Sequence, residues 1–454
     1  MDRHVVVVGG GIAGLAAAHQ LLQGENPPAV TVLEAGDRFG GKLHTSEIGG
    51  LRVDEGPDAF LARLPWAKEL CRELGLHDEL VSPAVSRAYL AGEGGLHALP
   101  DGLVLGVPAG ITKLARSPLM SWRGKARAAL EPVLPRRAYP DDDLSALVAS
   151  RFGDEVLDRL VGPLVGSINA ADPRRLSLSA SAPQLAEVAG RSRSLLLALR
   201  KQKATADPTS PVFFTLRSGL GTLVDTLVAS LRGRGADLRL HSAPEGLGRG
   251  RGSWRVGDLD ADGVVLAVPA FAAAPLLRTV APGAAGALDA IDYASVAIVT
   301  MAVPLEGIGR PLDASGVLVP GSAQVVVSAI SWGSSKWAHW QREGQAILRA
   351  SVGRFGHEDA LAMDDEALVA AVTTELGGLM ALRAAPTAVR VTRWPRSFPQ
   401  YTPGHLSRVD ALQASLADVA PRLALAGAAY RGVGIPACIR QGRDAATAVL
   451  DNLA

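Results

Sequence analysis

The segment that most limits the fold is His4-Val5-Val6-Val7-Val8-Gly9-Gly10-Gly11-Ile12-Ala13-Gly14-Leu15, followed by Thr31-Val32-Leu33-Glu34-Ala35. Val5–Val8 is a short β-branched run of the kind that forms a buried parallel strand. Gly9, Gly11 and Gly14 follow in the G-x-G-x-x-G spacing. The first allows a tight turn, the second admits a pyrophosphate to the backbone, and the third lets helix pack on strand. Ala16 to Leu22 then reads as the helix whose N-terminal N–H groups face that anion, with Ile12 and Ala13 before it as cofactor contacts. A second strand ends at Glu34, beside Ala35 and roughly 20 residues on, where a carboxylate can bond the hydroxyls of an adenosine ribose. In this order, the features predict a parallel α/β unit that binds a dinucleotide.

NAD and FAD sites share that pattern, and the next segments favour FAD. Asp37-Arg38-Phe39-Gly40-Gly41-Lys42 puts two glycines and two cations just past the ribose acid, where an extended FAD continues. Val53-Asp54-Glu55-Gly56-Pro57-Asp58-Ala59-Phe60 adds a second glycine turn that could press backbone on a flavin ring. Either segment alone reads as a surface turn. After a dinucleotide fingerprint, Arg38, Gly41, Lys42 and the stretch Gly56, Pro57, Asp58, Ala59 read as flavin contacts.

E-A-G-D-R-F-G-G-K followed by D-E-G-P-D-A-F resembles the amine-oxidase-like flavoproteins, and among them the porphyrinogen oxidases. The resemblance continues through Ser86-Arg87-Ala88-Tyr89, Gly162–Leu178, Phe214–Val224, Lys336-Trp337 and Val391–Tyr401 to Gly427–Gly442, which contains G-V-G-I-P-A-C-I-R-Q-G. It implies an α/β fold: a FAD-binding Rossmann-like domain with an antiparallel-sheet substrate domain and a helical insertion. The FAD domain would be discontinuous (1–80, 209–292 and 401–454), around a helical substrate- or membrane-facing domain (81–208) and a substrate-binding sheet (293–400).

The implied reaction is the six-electron oxidation of a porphyrinogen in haem biosynthesis. In each of three rounds a hydride leaves a meso carbon for flavin N5, and oxygen reoxidises the flavin to give hydrogen peroxide. Coproporphyrinogen III, going to coproporphyrin III, is the favoured substrate, with protoporphyrinogen IX the alternative. A flavin amine oxidase or carotenoid-type desaturase, and a non-catalytic FAD- or porphyrin-binding protein, are the other readings. An amine oxidase needs an aromatic cage about the flavin, and only 4% of this chain is aromatic.

The resemblance also suggests roles. Val433, Gly434 and Ile435 precede a final helix, expected over Cys438–Leu450, whose start would face the flavin with N–H groups and positive potential. Trp394 lies near the flavin or in a core. Arg87 would hold a substrate propionate, a task suited to charge-assisted Arg–carboxylate bonds, with a solvated surface arginine as the plain alternative. Arg63 is a second candidate. In P-L-V-G-S-I-N-A-A-D, Ser167 replaces a glycine whose backbone lies near the reacting carbon, and Asn169 replaces a tyrosine. Ala437 stands where Asp is common. Lys336 could reach either substrate or flavin, but reads first as a solvated lysine beside Trp337. A ring N–H can supply the accompanying proton, so no catalytic acid or base is assigned.

A net charge of +1 over 454 residues gives no electrostatic case for nucleic acid or an anionic membrane. Cys71 and Cys438 form neither a disulfide framework nor a metal-ligand spacing. Cys438 reads as a small buried apolar residue outside the pattern of covalently flavinylated oxidases, so the FAD is expected to be non-covalent. The first strand follows Met1-Asp2-Arg3 directly, which leaves no signal peptide. Val264–Leu277 is broken by Pro269 and Pro275 and falls short of the ~20 residues of a spanning helix. A cytoplasmic protein is expected, with porphyrinogen and oxygen as its small-molecule partners. Peripheral membrane contact through the middle helices and hand-over to a downstream haem-pathway enzyme stay open.

Elsewhere, periodicity predicts helices over Leu144–Phe152, Val156–Leu164 and Gly219–Leu231, and strands over Asp237–His241, Gly263–Pro269 and Leu423–Gly427. Val296–Val303, Val317–Pro320, Gln324–Ile330 and Ala346–Val352 read as strands of one sheet. Leu134–Pro140 reads as a Pro-rich break and Lys201–Pro211 as a linker.

Overall fold

The computed structural model describes residues 3–135, 141–205, 207, 210–250, 252–321, 323 and 325–453. Most of the Pro-rich break, residues 206, 208 and 209 of the predicted linker, and residue 324 lie outside them.

The first unit is a five-stranded parallel sheet in the order Asp237–Arg239, Ala29–Leu33, His4–Val8, Gly263–Leu266, Leu423–Leu425. Val5 and Val7 face a core shared with the helices Ile12–Leu21, Gly221–Gly233 and Ile435–Asp451. Val6 and Val8 face the opposite core, against Ala270–Leu277, Pro282–Asp289 and His405–Val419. Both faces are therefore buried, which is why these strands carry unbroken valine runs. The chain leaves His4–Val8 toward one edge and returns at Gly263–Leu266 toward the other. The crevice at such a reversal is where doubly wound sheets bind their ligands.

The second unit is a seven-stranded sheet in the order Ala388–Pro399, Tyr293–Pro304, Gln345–Val352, Val327–Trp332, Gly316–Leu318, Tyr89–Gly92, Gly95–Ala98. Val299, Met301, Val303, Leu348 and Ala350 point outward to the helix Asp365–Met380. Ala302 and Ile347, on the alternate face, pack with Trp337 and Trp340 against Ile48 and Val53 of the antiparallel pair Thr45–Ile48 and Leu51–Asp54. Two expectations are corrected here. The hairpin Tyr89–Ala98 belongs to this sheet, and Gly316–Leu318 pairs with Tyr89–Gly92 in parallel, so the sheet is mixed. Glu93-Gly94, between the paired residues Gly92 and Gly95, is the two-residue turn that signals a hairpin.

The helical insertion closes a core around Leu147, Val148, Phe152, Leu157 and Leu160. Leu144–Phe152 is helical as predicted. The next segment differs: Leu157–Val161 forms a π-helical turn that feeds the helix Gly162–Asn169. Glu131 is fully buried and holds the unit together. Its carboxylate accepts from Arg151 Nε (2.9 Å), from Ser194 Oγ (2.5 Å) and from the backbone N–H of Leu195 (2.9 Å). The last contact caps the helix Leu195–Thr205, an anion at a helix N-terminus. That helix also corrects the linker, because Lys201–Ala204 are good helix formers and the helix runs on through them. Among the described residues, no helix is long and apolar enough to cross a membrane.

Candidate active site

The three fingerprint glycines are needed for different reasons. Gly9 leaves its strand with φ 110°, and a Cβ there would lie 2.6 Å from Ala267 O. At Gly14 a Cβ would lie 1.9 Å from Gly9 O, so helix and strand touch backbone to backbone. Gly11 is ordinary in conformation (φ −73°), and a Cβ there would meet nothing within 4 Å. Gly11 faces open space. Gly41 stands beside it: with φ 57°, its Cβ would come 3.3 Å from Gly11 Cα. Glu34 fixes this loop by accepting from Gly10 N (2.7 Å) on one carboxylate oxygen and from Gly36 N (2.8 Å) on the other. Ala35 is exposed beside it. Arg38 turns inward, donating to Gly41 O at 2.7 Å.

Ile12–Leu21 starts after Gly11 and Ile435–Asp451 after Gly434, and neither helix has a side-chain cap. Their first N–H groups, beginning at Ile12 and Ala13 and at Ile435, are donors in want of an acceptor. The last helix begins three residues before the predicted Cys438, because Pro436 sits in the first turn, where its missing N–H costs nothing. Tyr401, buried beneath, donates to Ala428 O and accepts from Gly432 N (3.2 Å), which sets the Gly432–Gly434 approach to that helix. Burial holds its hydroxyl pKa well above the usual range, so it stays a donor.

Lys42 is exposed as a residue, while protein atoms crowd its ammonium. Burial lowers its pKa, against the opposing pull of Cys438 in the first turn of the last helix. Its ammonium donates to Ser397 O at 2.6 Å. Burial pushes the Cys438 thiol up to about 11, so it is protonated and unreactive at neutral pH. Gly56 packs on Lys42 O so closely that a Cβ would lie 2.3 Å away, and the Trp394 ring is its next neighbour at 3.5 Å. Pro57 is exposed, and Ala59 packs at the edge of the inter-unit core.

Asp58 carries a buried cluster that the sequence did not reveal. Lys336 Nζ lies 3.0 Å from both of its oxygens, Trp337 Nε1 donates at 3.0 Å, and Arg349 Nη1 is 3.3 Å away. Burial would raise the Asp58 carboxyl, but Lys336 and Arg349 hold it well below the usual carboxylate range. Lys336 is thus a half-buried ion-pair partner, which corrects the solvated lysine. Arg349, absent from the sequence-based candidates, also donates to Gly56 O.

Ala170 packs with Ala294 and Val296, flanked by the half-exposed rings of Phe355, Trp394 and Phe398. The Ser167 segment and Trp394 are so brought to one wall. Ser167 itself turns its hydroxyl back to Pro163 O (2.7 Å), and buried Asn169 donates to Val165 O (2.9 Å). Arg87 is exposed and ion-paired with Asp313 at 3.2 Å, to which Tyr89 also donates. Arg63 lies against the helix Pro183–Arg191, where the Gln184 amide, turned with its oxygen toward Arg63, accepts from its Nε at 3.2 Å. Among the described residues no His, Cys, Asp and Glu group could hold a metal.

A dinucleotide suits these residues, with open space at Gly11, two uncapped helix starts and a carboxylate for the ribose. The family model described as flavin containing amine oxidoreductase matches residues 12–450. Over 470 aligned residues the chain is 34% identical to coproporphyrinogen III oxidase of Bacillus subtilis (strain 168), covering 99% of this chain and 98% of that protein. It is 31% identical to protoporphyrinogen oxidase of Macaca fascicularis, with 99% of each covered. A solved protein of Exiguobacterium sp. 255-15, described as a candidate protoporphyrinogen oxidase, superposes with a TM-score of 0.88 at 29% identity, covering 100% of this chain and 99% of that one.

Proposed function

The chain belongs to the flavin-containing amine oxidoreductases, and within that family we propose that it is a coproporphyrinogen III oxidase. The observation that carries the reading is likeness over 99% of the chain to an enzyme of that name. The cofactor in this reading is FAD held without a covalent bond, and oxygen is the final acceptor. Residues 1–80, 209–292 and 401–454 form its binding domain, with 81–208 and 293–400 enclosing the substrate.

Bound flavin supplies the two-electron acceptor. The protein's part is to bind and orient. Gly9 and Gly14 shape the turn so that Gly11 would bring its backbone to the pyrophosphate, Ile12 and Ala13 would donate to it, and Glu34 would take the ribose hydroxyls beside Ala35. Gly41, Lys42 and the Gly56–Ala59 turn lie along the rest of the cofactor, with Arg38 bracing the loop from behind. Val433, Gly434 and Ile435 would offer uncapped N–H groups to the ring, where positive potential would stabilise negative charge. Trp394 forms part of the wall shared by cofactor and substrate. Arg87 and Arg63 would hold propionates, and the backbone at Ser167 borders the reacting carbon; the hydroxyl, already bonded within its own helix, need not intrude.

The test offers anaerobically prepared coproporphyrinogen III and protoporphyrinogen IX separately to the FAD-loaded protein in air, following porphyrin fluorescence and peroxide together. Coproporphyrin formed faster than protoporphyrin, with matching peroxide, supports the reading. Faster protoporphyrin formation favours the second reading, protoporphyrinogen oxidase, for which the 31% identity to the macaque enzyme speaks. Fluorescence no faster than autoxidation with both substrates removes the class.

A further inference from the structure

The Gly56–Ala59 turn is gripped by side chains from the seven-stranded sheet. Lys336 and Trp337 follow the strand Val327–Trp332 and hold Asp58; Arg349, on Gln345–Val352, bridges both ends of the turn by bonding Asp58 and Gly56 O. Trp394, on Ala388–Pro399, closes it with Nε1 on Glu55 O at 3.3 Å. Arg349 is itself buried, and its Nε has no partner among the described residues, a donor left over beside the turn. Arg349 is thus held out of water, and Lys336 and Asp58 are half-buried beside it. Asp54 and the Glu55–Arg390 pair (3.9 Å) are the neighbouring charges. Charges so enclosed act on their surroundings with little screening.

We propose that Lys336, Arg349 and Asp58 set the reduction potential of the bound flavin, with Lys336 a positioning residue that holds the turn and adds positive charge beside it. This rests on the flavin site read above. A flavin gains electrons on reduction, so a nearby cation favours the reduced form and a nearby anion opposes it. Removing the Lys336 charge therefore makes the potential more negative, and removing the Asp58 charge makes it more positive. A turn that merely loosened would move both variants in one direction.

The experiment is a potential measurement on FAD-loaded wild type, Lys336→Met, Lys336→Arg and Asp58→Asn. Each is reduced slowly and anaerobically against a reference dye, with no porphyrinogen present. The expected result is a more negative potential for K336M, a near-wild-type value for K336R and a more positive one for D58N. Unchanged potentials, or shifts of one sign in K336M and D58N, overturn the proposal. If D58N does not fold, the lysine pair decides: K336M at the wild-type value, or K336R shifted with it, overturns the proposal. A wild type that titrates as a flavoprotein yet oxidises no porphyrinogen removes the proposed substrate and leaves this inference standing. A protein that takes up no flavin removes both.

Discussion

Gly442, in the last helix, lies directly against the first: a Cβ on it would come 2.2 Å from Ala13 O. Only glycine permits that approach. The crossing locks together two helices that lie more than 400 residues apart in sequence, and both lack a side-chain cap. One anionic or electron-rich ligand can therefore use both N-termini at once.

The open space at Gly11 makes it separable from its neighbour. Gly11→Val should fold normally and lose FAD, because its side chain fills space that only a cofactor would use. Gly14→Val should instead destabilise the protein by about 3 kcal/mol or more, through overlap with Gly9 O. Flavin content of the purified proteins and urea unfolding of the apoproteins separate the two. A fully yellow Gly11→Val protein contradicts the assigned register.

Arg87 is exposed, and its pair with Asp313 contributes little to stability. Arg87→Ala should leave flavin content and unfolding unchanged while raising KM for coproporphyrinogen about tenfold, the equivalent of one charge-assisted bond of ~1.4 kcal/mol. An unchanged KM takes Arg87 out of the substrate site.

Asp54 makes stability depend on pH. It is buried, with Oδ1 accepting from Thr45 Oγ1 and from Leu220 N (2.9 Å), while Oδ2 has no partner among the described residues. Burial pushes its pKa up to about 6 from an ordinary 3.8, against the Thr45 hydrogen bond and Arg349. Between those values the folded chain holds a proton that the unfolded chain has released. Its contribution is therefore full at acid pH and is lost as pH rises through about 6, by roughly 3 kcal/mol. Asp54→Asn cannot titrate. The wild-type minus variant difference in unfolding free energy should fall by about that amount between about pH 3 and 7; subtraction cancels the histidines common to both. A flat difference contradicts the assignment.

Glu131 is the keystone of the helical insertion. Glu131→Ala strands Arg151, which is itself buried, and should cost about 3–5 kcal/mol. Proteolysis should then begin between residues 131 and 205 while flavin is retained. Wild-type resistance to urea and protease would show the pair to be dispensable.

Local pattern explains what was legible. Strand, glycine turn, helix and acid lie within the first 34 residues, so the dinucleotide unit could be read directly from the chain. The Asp58 cluster could not: Lys336 and Arg349 stand 278 and 291 residues downstream of it, and nothing local distinguishes a lysine about to be buried from one in water. Two misses did carry signals. Pro436 marks the start of the last helix, and the short turn at Glu93-Gly94 marks the hairpin that joins the second sheet. Arg349 had no such cue, since a single arginine in an apolar strand reads as an edge residue until the facing carboxylate is known.

The most direct test of the central claim is to mix FAD-loaded protein with coproporphyrinogen III without oxygen and watch the flavin absorbance band. The account predicts rapid bleaching as each flavin takes two electrons, then recovery of the band and the rise of porphyrin fluorescence when oxygen is admitted and the remaining rounds can run. A band that stays oxidised, in protein whose flavin dithionite does reduce, would contradict it.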